Sequence, residues 1–198
     1  MDYLSNRIAD FYVKKNIIQP EEKDVYKCGV SLILNDIVTF CLILIISALI
    51  WNIRLAIEFL IVFCLTRVYC GGYHAPKAYL CRLTMLLTFI CVSIASNLLK
   101  NATDITLYML ALVSFLILLP IAPVKHPNKK LTDELIKKGR KNTFLLLIVF
   151  IICAYIIFNF ISKQDGMTII LTLCSVAIFA IIGVFTNERR CKNEEVDK

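Results

Sequence analysis

Apolar residues fall along this chain in long, almost unbroken aliphatic runs. They show neither the strict alternation of a half-buried strand nor the one-sided stripe of a soluble helix. A hydrocarbon core of ~30 Å takes about 20 apolar residues to cross as a helix. Five runs come close to that length: Ser31 to Ile50, Leu83 to Leu99, Ile105 to Val124, Phe144 to Ser162 and Met167 to Phe185. A sixth, Leu55 to Thr66, has twelve residues, is bounded by Arg54 and Arg67 and contains Glu58. Its length suits a re-entrant segment or a short crossing through thinned membrane.

A different pattern opens the chain. Leu4, Ile8, Phe11 and Tyr12 recur at helical spacing while Arg7, Asp10, Lys14 and Lys15 occupy the rest of the wheel, which predicts an amphipathic helix lying in the membrane interface. Pro20 followed by Glu21 and Glu22 is a helix-start signal, so a second helix is expected to rise from there into the bilayer. The first thirty residues mix charges throughout and no small-residue cleavage site follows the first apolar run, so the N-terminus is expected to be retained.

Composition agrees with the pattern. Hydrophobic residues make up 59% of the 198, against roughly 45–50% in soluble domains. The fold class expected is an all-α, polytopic membrane helix bundle with about six membrane segments, one of them short or re-entrant, plus the interfacial N-terminal helix. No Pro/Gly/Ser-rich linker and no repeat interrupts it, so residues 1–198 read as one domain. Nine cysteines are an odd number and most sit within apolar runs, where cysteine behaves as a small hydrophobe, so a disulfide framework is not expected.

The net charge of +7 does not point to nucleic acid, because the basic residues cluster between apolar runs instead of on one face of a soluble domain. Seven Lys/Arg residues lie between Lys125 and Lys141 and four follow Thr186, whereas the connections at Lys100 and Lys163 carry one each. The positive-inside rule then puts both basic segments, both termini and the stretch from Arg67 to Arg82 on the cytoplasmic side of a cell membrane. That arrangement requires the short sixth segment to cross.

One stretch does not look like membrane helix: RVYCGGYHAPKAYLC, Arg67 to Cys81. Gly71 and Gly72 break any helix arriving there and Pro76 can open the next, leaving His74 between the breaks. Each residue has an ordinary reading: the glycines form a turn, Arg67 and Lys77 snorkel to headgroups, and the tyrosines join an aromatic belt. Their combination suggests chemistry. Cys81 follows His74 by seven residues. In a continuous helix that is about 10.5 Å along the axis, too far for proton transfer, so the break would have to fold His74 back toward Cys81. A thiol near lipid is a poor nucleophile unless a base or cation favours the thiolate, and an imidazole supplies both. Zinc needs three or four ligands, and His74, Cys70 and Cys81 lack the usual spacings, so neither metal nor cofactor is expected.

At these residues the chain resembles the accessory gene regulator B family, membrane cysteine endopeptidases of Gram-positive bacteria that mature quorum-sensing pro-peptides. The likeness is carried by Arg67, Gly71, Gly72, His74, Ala75 and Cys81. It extends to chain size and to APVKHPNKKLT, Ala122 to Thr132, which is similar to that family's Pro- and Lys-rich loop. The resemblance implies Cys81 as nucleophile, His74 as its base, and Arg67 and Gly72 as positions important for activity. The implied partner is a pro-peptide with an amphipathic leader, a cysteine-containing core and an acidic tail. Cutting the tail would leave the core as a thioester on Cys81, released as a cyclic thiolactone. Membrane lipid and a second copy of the chain are the other partners admitted.

Other roles for the same residues are weighed beside this one. Cys70 is the rival nucleophile. Asp36 and Glu58 are charges inside apolar runs, by default functional or intramembrane partners, although Asp36 can also sit at headgroup level and Glu58 can pair with Arg54 one turn away. Lys125, Lys129 and Lys130 can steer an acidic tail or simply orient the loop. A peptide transporter without catalysis also suits six helices with buried charges, but it predicts several broken, polar segments, and here one stands out.

Overall fold

The computed structural model describes residues 2–50, 52–71, 78–124 and 133–196. Among these there are seven α-helices, one 3-10 turn and no strand. Helix α1 (Asp2–Lys14) is followed by the turn Pro20–Glu22, then α2 (Lys23–Leu49), α3 (Ile53–Cys70), α4 (Ala78–Leu98), α5 (Asp104–Ile121), α6 (Asp133–Phe160) and α7 (Lys163–Val196).

The bundle is built for lipid. On α2 the face turned outward carries Leu32, Ile33, Ile37, Leu44 and Ile45, while the buried stripe is Asn35, Thr39, Ile43 and Ser47. Lipid tails are as apolar as leucine, so nothing drives large side chains inward, and small or hydroxylic residues instead let helices approach closely. Several buried hydroxyls bond to carbonyls of their own helix, as Thr172 Oγ1 does to Thr168 at 2.7 Å and Ser114 Oγ to Ala111 at 2.9 Å. The closest approach is between α6 and α7, where a Cβ on Gly166 would lie 2.7 Å from the carbonyl oxygen of Ala154. Five helices, α2 and α4 to α7, are long and apolar enough to cross a membrane. The chain is an all-α membrane bundle.

Helix α3 settles the sixth segment. It is one uninterrupted helix of 18 residues, about 27 Å at 1.5 Å per residue, and the three charges at Arg54, Glu58 and Arg67 are what dilute its hydropathy. It also runs the height of the bundle. At one end Arg54 Nη1 lies 3.7 Å from the buried Asp165 carboxylate of α7, further on Phe59 meets Phe89 of α4 and Phe63 meets Phe179 of α7, and at the other end Cys70 meets Val124 and Thr143. The segment is therefore a full-length member of the bundle, parallel to α7 and antiparallel to α4. Arg54 reaches Asp165 while still attracting Glu58, whose Oε2 is buried without a hydrogen-bond partner among the described residues.

With α3 running the length of the bundle, the helices alternate in direction. The connections near Lys100 and Lys163 share one end; Gly71, Ala78, Val124 and the start of α6 share the other. Helix α1 lies at this second end too, tied to the start of α2 by Lys23 Nζ to Asp10 at 2.6 Å. As expected of an interfacial helix, α1 leaves Leu4 and Phe11 exposed, and it buries Ser5 and Ala9.

Candidate functional site

Cys81 stands four residues into α4 as described and is half-buried. Across from it, in the last turn of α3, is Arg67. Cys81, Asp36 and Cys64 all lie within electrostatic reach of the Arg67 guanidinium, Cys81 foremost. The guanidinium is also held over aromatic faces, 5.4 Å from the ring centre of Phe63 and 5.7 Å from that of Phe179. Among the described residues no group of three or more His, Cys, Asp or Glu side chains converges as metal ligands.

The neighbouring side of α4 faces α2. Arg82 donates from Nε (3.2 Å) and Nη2 (2.5 Å) to the side-chain oxygen of Asn35, which is 5% exposed. Asp36, the next residue on α2, is exposed on the flank of the bundle. The cluster of Asn35, Asp36, Arg67, Cys81 and Arg82 is thus assembled from three helices.

Cys70 has a different setting. It is completely buried, its thiol donates to Thr143 Oγ1 at 3.7 Å, and its carbonyl accepts from the amide of Val124 at 2.9 Å. Burial of this kind leaves a thiol poorly accessible to a substrate. Gly71 caps α3 with φ +71 and ψ −151, a region open essentially to glycine alone, and a Cβ there would lie 3.3 Å from the carbonyl oxygen of Val124. The second glycine, Gly72, and His74 lie outside the described residues, as do Lys125, Lys129 and Lys130. Val124, which precedes those lysines, is pinned beside Gly71. Gly139 of α6 packs on Pro123, where a Cβ would meet Cγ at 3.2 Å, and Arg140 Nε reaches the Ala122 carbonyl at 3.5 Å.

These two meeting stretches are the ones the sequence singles out, and comparison with protein families decides what they belong to. The model of accessory gene regulator B matches residues 5–187. The chain belongs to that family. Accessory gene regulator B proteins take part in processing quorum-sensing peptides and are in general processing proteases, which places this membrane bundle in that activity at the coarse level. Searches for curated relatives and for similar solved structures give no match.

Reasoning from sequence missed Asn35, Arg82 and Thr143, and it set Asp36 aside. A polar residue recurring within an apolar run, such as Asn35 next to Asp36, is the signal that could have found the first of them.

Proposed function

We propose that this member of the family is a cysteine endopeptidase with Cys81 as nucleophile and His74 as its base, acting on a small pro-peptide with an acidic C-terminal tail. The thiolate of Cys81 attacks the carbonyl carbon at the start of the tail. The C–N bond breaks, His74 returns its proton to the departing amine, and the core remains as a thioester on Cys81. A cysteine of the peptide core then attacks that thioester, the bond to Cys81 breaks, and a thiolactone ring leaves. One thioester replaces another, so the exchange is close to neutral and keeping water away matters more than driving force.

The observation that carries this reading is the contrast between two cysteines eleven positions apart. Cys81 is half-buried on a helix end within reach of a fixed cation; Cys70 is sealed in the core against Thr143. The positive-inside rule supports a cytoplasmic active site, with both termini on that side.

The test is cleavage by protein reconstituted in vesicles. Cys81→Ala and His74→Ala each abolish release of the tail at normal insertion, Cys81→Ser is badly impaired because a hydroxyl is far harder to deprotonate, and Cys70→Ala stays active. Loss of activity in Cys70→Ala with full activity in Cys81→Ala would move the nucleophile to Cys70.

A further inference from the structure

We propose that Asn35 is a positioning residue for Cys81: through Arg82 it fixes the rotation of the first turns of α4, and so keeps the neighbouring thiol within reach of Arg67. The inference rests on the reading of Cys81 as the nucleophile.

The argument is geometric. Successive residues on a helix point about 100° apart, at 3.6 residues per turn. Once Arg82 is tied to α2, the direction of Cys81 is set as well, one step around the wheel on the side of α3. The tie is specific. Nε and Nη2 of one planar guanidinium converge on a single oxygen, Asn35 Oδ1, which fixes the plane of the fork as well as its position. Asn35 itself is buried, and the carbonyl of its peptide accepts the Thr39 hydroxyl at 2.7 Å, so the acceptor sits on rigid backbone.

The first turns of α4 have need of such an anchor. Helix α3 packs only lightly on α4, through rings such as Phe59 and Phe89, two turns or more beyond Cys81. Helix α4 also packs along α7, and within that packing the tie to α2 fixes the rotation of the turn that carries Cys81. A relaxed α4 would still fold and insert, but its thiol would sample directions away from the Arg67 cation. That separates a positioning role from a merely structural one.

Full-length protein in vesicles tests it with two readouts: steady-state cleavage of an acidic-tailed pro-peptide, and the rate of Cys81 alkylation by iodoacetamide as a function of pH, read on the Cys81 peptide by mass spectrometry. Asn35→Ala is expected to lower kcat about tenfold or more with KM little changed, and to slow Cys81 alkylation severalfold at neutral pH. Asn35→Asp, which can still hold Arg82, should restore most of both. Asn35→Ala and Arg82→Ala together should be no worse than either alone, since both cut one tie.

Wild-type cleavage and alkylation in Asn35→Ala would overturn the proposal. So would a loss of cleavage with unaltered Cys81 alkylation and no rescue by Asn35→Asp, which would mark a structural role only. If wild-type protein cleaves nothing, the peptidase reading fails, and the alkylation rates alone still decide whether Asn35 positions Cys81.

Discussion

The backbone amide of Val124 donates to the carbonyl of Cys70 at 2.9 Å, closing the end of α3 against the segment that leaves α5. Two complete helices separate these residues in the chain, yet the bond brings the stretch carrying Gly71 and Cys81 next to the stretch leading into the basic loop. A peptide bound across both would have its scissile bond and its acidic tail within one surface.

Gly71 is the hinge of that contact. At φ +71 a side chain is strained by about 1–3 kcal/mol, and its Cβ would press on the Val124 carbonyl at 3.3 Å. Gly71→Ala is expected to lower the thermal midpoint in detergent by several degrees and to impair cleavage more than insertion. Unchanged melting and unchanged turnover would show that the turn relaxes without consequence.

Gly166 is the counterpart at the far end. Its Cβ would meet the Ala154 carbonyl at 2.7 Å, backbone that cannot step aside, so Gly166→Leu must push α6 from α7. Overpacking of this kind costs about 1–3 kcal/mol or more. The expected result is a lower melting temperature and less inserted protein, measured by fluorescence-detected size exclusion, with Gly166→Ala milder.

Topology follows from the alternating helices. Single cysteines placed in the connections near Lys100 and Lys163 should react with an impermeant thiol reagent from outside intact cells, and cysteines placed between Arg67 and Arg82 or between Lys125 and Lys141 only after the membrane is opened. Outside labelling of the Arg67 to Arg82 stretch would mean that α3 does not cross in the membrane.

Most of this bundle is legible in the aliphatic runs, because a segment facing lipid can hold little else. Helix α3 reads as too short for a reason that is equally physical. Arg54 and Arg67 look like the ends of an apolar segment, but Arg54 meets Asp165 and Arg67 rests on Phe179, both on α7, more than a hundred residues further along. Local sequence carries no trace of those partners. The motif around Cys81 is legible because glycines, histidine and cysteine are out of place among aliphatics. Asn35 escapes notice, and Asp36 stays ambiguous, because a polar pair in a membrane helix has no meaning until α4 and α3 are laid against it. The rest of the site, His74 and Gly72, lies outside the described residues and stands on sequence alone.

The basic loop offers a test by salt. Lys129 and Lys130 can steer an acidic tail, and steering between exposed charges is screened beyond about 8–10 Å at physiological ionic strength. Neutralising both should raise KM severalfold at low salt and much less at high salt, while alkylation of Cys81 by a small reagent is unchanged. Equal KM at every salt concentration, with topology intact, would leave the loop as an orientation signal only.

The central claim is that a bond forms between Cys81 and the peptide core. Intact-protein mass spectrometry of rapidly acid-quenched vesicles tests it most directly, using a pro-peptide whose core cysteine is replaced by alanine so that the ring cannot close. The account predicts an adduct with the mass of the leader and core without the tail, mapped to Cys81, discharged by hydroxylamine and lost in Cys81→Ala. Tail release without any such adduct, or an adduct that persists in Cys81→Ala, would contradict it.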